Sequence, residues 1–225
     1  VGSVQEVSRR SGTVRLQQKS RRSSKELKTP IFCPRNSLSF IIMEMIRLFL
    51  AVPVPKKIKE ELAREQEKVK NSLSDWKINW VAPENFHITL IFLGWVENEK
   101  VKTLKGDIAG AQKNLPDFEI STGSLTFEER PIWLEIKKGT EKLQKLQEIL
   151  GKELSIKGSY LEKRASHPHL TIGRVKNKGK SKLPKIKKSF TWKADKIVLY
   201  QSKLRRSGSV YTELVSFPLG KTDNF

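Results

Sequence analysis

From about residue 47 onward the apolar positions of this chain alternate between two rhythms, one with a period of two and one with a period near 3.6. Residues 47–54 read as a strand closed by Pro53 and Pro55, and Pro55 also suits the first turn of a helix. Ile58, Leu62, Val69 and Leu73 then recur on one helical face. Trp80-Val81 precedes a strand over 86–96. Val101, Leu104, Ile108 and Ala111 mark a second helix. Strands over 118–125 and 132–137 come next, then a third helix carrying Leu143, Leu146, Leu150 and Leu154. A strand over 169–175 runs into a lysine-dense loop, 176–188. The last two strands lie near 196–202 and 211–217, joined through Arg205-Arg206-Ser207-Gly208.

The order repeats. Phe49-Leu50-Ala51-Val52, a helix and then His87 have a counterpart in Trp133-Leu134-Glu135-Ile136, a helix and then His169. Leu50 to His87 is 37 residues, and Leu134 to His169 is 35. This predicts two lobes related by a pseudo-two-fold, with the histidine strands meeting between them.

Those strands share a motif. His87-Ile88-Thr89-Leu90 and His169-Leu170-Thr171-Ile172 both read His-apolar-Thr-apolar and lie 82 residues apart. Alternation in a strand puts the His and Thr of each motif on one face and the apolar pair on the other. Only three histidines occur, and two of them open these matched strings. Two opposed imidazoles suit in-line displacement at phosphorus, one removing a proton from the attacking oxygen and one donating to the leaving oxygen. Histidine titrates near neutrality, so both forms are accessible. The threonine hydroxyls can donate to the non-bridging oxygens that gain charge in the transition state.

Composition narrows the partners. Hydrophobic residues make up 37% and charged residues 30%, which fits a globular chain rather than a membrane-embedded or disordered one. The net charge of +20 favours nucleic acid, an anionic membrane surface or another polyanion as partner. The single cysteine, Cys33, excludes an intramolecular disulfide framework and a multi-cysteine metal site, and a reducing compartment is the simpler setting. No apolar run reaches spanning length. These features predict a cytoplasmic protein with no membrane association, and a monomer.

Residues 1–44 differ from the rest, with nine Lys/Arg against three Asp/Glu, many serines and no apolar period before Leu38. Such a segment cannot bury enough surface to offset its ordering entropy and is expected to be disordered. It resembles an organellar transit peptide, a basic RNA-binding arm, or sequence upstream of a true start at Met43 or Met45; the last of these is preferred. The domain is expected to occupy 45–225, which keeps 35 basic and 21 acidic residues and a charge of +14.

The paired strings, with Ile91-Phe92-Leu93-Gly94 after the first and His167-Pro168 before and Gly173-Arg174 after the second, resemble the signatures of the 2H phosphoesterase superfamily. Its RNA 2′,3′-cyclic phosphodiesterase (2′-5′ RNA ligase) branch is the closer match. The opening strand Arg47-Leu48-Phe49-Leu50-Ala51-Val52 and the late Leu199-Tyr200-Gln201-Ser202, Gly208 and Tyr211 resemble it too, over about residues 46–220. The resemblance implies a bilobal α+β fold, two pseudo-symmetric lobes of antiparallel sheet with flanking helices around a central cleft. It implies hydrolysis of a terminal 2′,3′-cyclic phosphate to a 2′-phosphate without metal or other cofactor, with 2′-5′ ligation as a related activity. The expected partners are RNA ends bearing that phosphate, tRNA fragments among them. By motif position His87 and His169 are catalytic and Thr89 and Thr171 hold the phosphate. The expected split makes His169 the general base and His87 the general acid.

Other residues offer two readings each. Arg174 stands after the second motif as in the family and is placed to contact nucleotide, yet strict alternation sets it on the face away from His169. Arg130 either reaches the phosphate or is a solvated turn residue. Tyr211 either lines the cleft or packs. His167 is expected to support or to lie at the surface rather than to catalyse. Lys176, Lys178, Lys180, Lys182, Lys185, Lys187 and Lys188 form either a solvated loop or a surface for an RNA backbone. Two rivals to the two-histidine reading remain. A metal site of His87, His167 and His169 would need a carboxylate, and none stands beside either motif. A non-catalytic basic RNA-binding protein fits the charge but shows no RNP-like or zinc-knuckle signature.

Overall fold

The structure, a computed structural model, describes residues 44–156, 167–205 and 208–220. The leader read for residues 1–44 therefore lies, Glu44 apart, outside the described residues, as do Arg206 and Ser207 of the last turn. Chain order is β1 (Met45–Pro53), α1 (Lys56–Ser72), β2 (Lys77–Trp80), β3 (His87–Glu97), α2 (Val101–Gln112), β4 (Phe118–Phe127), β5 (Pro131–Lys138), α3 (Thr140–Ile156), β6 (His169–Asn177), β7 (Thr191–Ala194), β8 (Lys196–Arg205) and β9 (Gly208–Pro218).

The helices follow their apolar stripes. Leu62 and Val69 of α1, Val101, Leu104 and Ile108 of α2, and Leu143, Leu146, Leu150 and Leu154 of α3 are all buried. Pro55 sits one position outside α1 as its N-cap, in extended conformation. Two strands escaped the pattern, β2 and β7. Each has four residues, too few to display a period, and each exists because a longer strand pairs with it: β6 for β2, β4 for β7. No helix among the described residues is long and apolar enough to cross a membrane.

The nine strands of the described residues join one antiparallel sheet in the order β7-β4-β5-β6-β3-β1-β8-β9, with β2 on β6. Four strands of that row lie on each side of the β3–β6 seam. β5-α3-β6 on one side answers β1-α1-β3 on the other, so the two expected halves share one sheet. The register places the repeat two residues away from the match read in the sequence. Ala51 faces Thr89 and Trp133 faces Thr171, so Ala51 corresponds to Trp133 and Leu50 to Ile132, not to Leu134. A shift of two keeps every side chain on its face, which is why the sequence match looked sound.

Candidate active site

The two motifs meet at the seam. β3 and β6 pair at a single position, Ile88 opposite Leu170, both fully buried. That register, continued by one residue each way, sets His87 toward Thr171 and Thr89 toward His169. All four side chains are half-buried on one face, and the intervening Ile88, Leu90, Leu170 and Ile172 fill the core behind them.

Each imidazole is held in the same way. Nδ1–H of His87 donates to the carbonyl of Asn85 (2.6 Å), and Nδ1–H of His169 donates to the carbonyl of His167 (2.8 Å). A carbonyl only accepts, so Nδ1 carries a proton in both rings and Nε2 is the nitrogen left for chemistry. Nε2 of His87 lies 3.0 Å from Oγ1 of Thr89, which donates to it when the ring is neutral. His167 thus supports the site through its backbone, and its own ring is exposed.

Both strands carry the same irregularity just after the motif. Opposite Ala51 and Leu50 stand Thr89 and Ile91, leaving Leu90 as an extra residue in β3. Opposite Trp133 and Ile132 stand Thr171 and Gly173, leaving Ile172 as the extra residue in β6. Each is a β-bulge, and each reverses the alternation beyond it. Ile172 and Gly173 are both buried and Arg174 is exposed; Leu90 and Ile91 are both buried and Phe92 is 42% exposed. This corrects the strict alternation that set Arg174 away from His169: the bulge returns it to the site face.

The bulge in β6 is tied down from α1. Gln66 is buried, and its Nε2–H₂ donates to the carbonyls of Ile172 (2.8 Å) and Val81 (2.9 Å). The Val81 N–H donates to the same Ile172 carbonyl (3.0 Å). Gln66 was missed in the sequence, yet a signal existed: it is the polar residue between Leu62 and Val69 on the buried face of α1. Gly173 admits the neighbouring strand, since a Cβ there would come within 3.0 Å of Ile78 and 3.1 Å of Trp80.

The surroundings of the two rings differ. Phe49 packs on His87 at 5.0 Å between ring centres, and Tyr211 meets it edge-on at 5.3 Å. Tyr200 stacks on Phe49 at 5.3 Å. Tyr211 therefore lines the site, while Phe49 and Tyr200 join it from strands that carried no such sign. Burial pushes the His87 pKa down to about 4 from the ordinary 6.5. The Asn85 carbonyl opposes that fall, and the charges of Lys59, His169 and Arg174 add to it. His169 and Arg174 are thus close enough to act on His87 electrostatically. Burial also lowers Lys59, whose ammonium donates to the Glu84 carbonyl (2.6 Å), against the opposing pull of Glu84 and Glu213. Tyr200 is pushed up to about 12 by burial and by Glu213, so its hydroxyl stays neutral. His169 packs against Trp133 at 5.3 Å.

Arg130 lies in the exposed turn before β5, beside the positive-φ residue Glu129. Its carbonyl accepts from the Val175 N–H (2.7 Å). Among the described residues no three His, Cys, Asp or Glu side chains converge in a way that could hold a metal.

Comparison with known proteins agrees with this architecture. A family model described as "LigT like Phosphoesterase" matches twice, over residues 52–133 and 134–211, one match for each half. The matches begin at Val52 and Leu134, which occupy equivalent places in the register. The chain belongs to this family of 2H phosphoesterases. It is 36% identical over 174 residues to an RNA 2′,3′-cyclic phosphodiesterase of Methanocaldococcus jannaschii, covering 74% of this chain and 96% of that protein. It is 29% identical over 179 residues to the protein of the same description from Thermotoga maritima, covering 75% and 93%. The crystal structure of E. coli LigT complexed with 3′-AMP superposes with a TM-score of 0.68 at 26% identity, covering 79% of this chain and 100% of that one.

Proposed function

We propose that this protein hydrolyses a terminal RNA 2′,3′-cyclic phosphate to a 2′-phosphate, using His87 and His169 as an acid–base pair without metal. The observation that carries this reading is the twinned constellation at the seam: two imidazoles on adjacent strands, each fixed through Nδ1, each with a threonine on its face. Nε2 of His169 takes a proton from water as its oxygen bonds to phosphorus. The bond from phosphorus to O3′ breaks, and Nε2–H of His87 gives its proton to O3′. One water is consumed, and the product carries a 2′-phosphate and a 3′-hydroxyl. The rings then exchange protons with solvent. Thr89 and Thr171 donate to the non-bridging oxygens, and Arg174 adds a positive charge at the rim of the site. A 5′-hydroxyl in place of water yields a 2′-5′ linkage by the same steps.

The low pKa of His87 is compatible with an acid role. In the free protein the ring is neutral at neutral pH. An anionic phosphate beside it opposes the burial penalty, so proton uptake accompanies substrate binding. A depressed pKa also makes the imidazolium a ready donor to the departing oxygen.

The test is turnover of a short RNA ending in 2′,3′-cyclic phosphate with EDTA present, with phosphorus NMR of the product. Release of a 2′-phosphate is expected. Binding of the RNA without turnover would favour the non-catalytic reading, and loss of activity in EDTA with recovery on added Zn²⁺ would favour a metal.

A further inference from the structure

The two halves diverge just beyond their bulges. In β3 the exposed positions are Phe92 and then Trp95, 65% exposed, with Gly94 between them. In β6 the corresponding positions are Arg174, Asn177 and Lys176. Because the Ile172 bulge reverses the alternation, Thr171, Arg174 and Lys176 lie along the same face as His169. From His169 to Lys176 that path runs roughly 23 Å at the rise of an extended strand. It ends in the lysine loop.

That loop is built into the fold by its backbone. The carboxylate of Asp75 accepts the N–H groups of Lys180 (2.6 Å) and Ser181 (3.0 Å), and the Trp76 indole N–H donates to the Ser181 carbonyl (3.1 Å). The Lys178 ammonium lies over the rings of Trp76 (5.7 Å) and Phe127 (5.5 Å), and Lys188 pairs with Glu61 (2.9 Å). Asp75 is thus occupied with main-chain amides rather than with lysines. Lys176, Lys180, Lys182, Lys185 and Lys187 are exposed, and among the described residues none pairs with a carboxylate. A fixed backbone carrying unpaired ammonium groups is suited to a polyanion whose charges arrive in a row, because little further ordering is required on binding.

We propose that the RNA body on the 5′ side of the cyclic phosphate lies along β6, over Arg174 and Lys176, and onto the lysine loop, and not across the β3 and β8–β9 half. This rests on the catalytic reading for the place of the RNA end. The path predicts preference for longer RNA, since a dinucleotide seated at the histidines does not extend to Lys182.

The experiment compares two charge-removing variants of the full chain, Lys182→Gln/Lys185→Gln/Lys187→Gln in the loop and Lys203→Gln/Arg205→Gln at the end of β8. Each is assayed on a cyclic-phosphate dinucleotide and on an RNA of about a dozen nucleotides with the same end. Binding of the same longer RNA ending in a 3′-phosphate is measured by fluorescence anisotropy at ~50 to ~200 mM salt. The loop variant should lose about tenfold or more in kcat/KM and affinity on the longer RNA at low salt. Its log–log salt slope should shrink by about 2, near 0.7 for each of three lost phosphate contacts to a single strand. Dinucleotide turnover should stay within about twofold, which also reports an intact fold. An unchanged loop variant, an equal or larger loss in the β8 variant, or a parallel loss on the dinucleotide would overturn the path. If the wild type hydrolysed neither substrate, the catalytic reading would fail while the anisotropy comparison still decided where the RNA lies.

Discussion

The two halves of the sheet are alike where chemistry demands likeness and different where a ligand would extend. In both, a His-x-Thr strand starts at the seam, Nδ1 of the histidine donates to the carbonyl two residues before it, and a bulge comes after the threonine. Beyond that point one half presents Phe49, Phe92, Tyr200 and Tyr211, and the other Trp133, Arg174 and a run of lysines. Pseudo-symmetry supplies two imidazoles; its breakdown gives them different electrostatic settings and, on the proposed reading, would give the substrate a direction. A symmetric pair would have no reason to divide into acid and base.

The largest expected effect removes the symmetric part. His87→Ala and His169→Ala should each lower turnover of a cyclic-phosphate RNA by at least ~100-fold with an unchanged melting profile, as for lost acid–base catalysis. The two are then told apart with a substrate whose 3′ bridging oxygen is replaced by sulfur. A thiolate departs with little need of a proton, so His87→Ala should recover most of its loss and His169→Ala should not. The opposite pattern would reverse the split. Next in size are the threonines: Thr89→Ala and Thr171→Ala should each cost about tenfold in kcat, and together distinctly more. Wild-type turnover in the double variant would remove them from the phosphate.

A smaller effect tests how the asymmetric part is positioned. Gln66→Leu leaves the Val81 carbonyl without this donor and frees one bond at the bulge, so kcat/KM should fall about fivefold, at a stability cost of ~1–3 kcal/mol. If Gln66 acts through the bulge on Arg174, its effect should largely vanish in an Arg174→Ala background, a non-additivity that mere destabilisation would not produce. Full additivity would refute that coupling.

The mildest test reads the setting of His87 through stability. Its folded pKa, about 4, lies below the ordinary value of 6.5, so the unfolded chain binds the extra proton between them. The contribution is complete above pH 6.5 and is lost as pH falls through 6.5 toward 4, by at most ~3 kcal/mol. Urea unfolding across that window should show a steeper acid decline for the wild type than for His87→Asn. Equal slopes would mean that His87 is not desolvated by Phe49 and Tyr211 as the packing indicates.

Much of this was legible in the chain. The two His-x-Thr strings marked both strands, their spacing and their common face, because a period of two is local and survives any packing. The helices were legible through the leucines of α3 and the stripe of α1, since burial of a face repeats along the element itself. Tyr211 carried two readings, lining the cleft or packing, and the structure sets its ring edge-on to His87. Phe49 and Tyr200 were in neither reading, because an aromatic in a strand reads the same whether it packs in a core or beside an imidazole such as that of His87.

What only the tertiary structure decided was register. The bulge at Ile172 comes from how β6 meets β5 and from Gln66 on α1, a partner 106 residues away in sequence. Nothing within His169-Leu170-Thr171-Ile172-Gly173-Arg174 announces an extra residue, so strict alternation set Arg174 on the wrong face. β2 and β7 likewise owe their existence to neighbours, and the true offset of the repeat appeared only once Ala51 and Trp133 were seen facing the two threonines. Alternation is written into the covalent geometry of a strand; where it is interrupted depends on which distant strand supplies the hydrogen bonds.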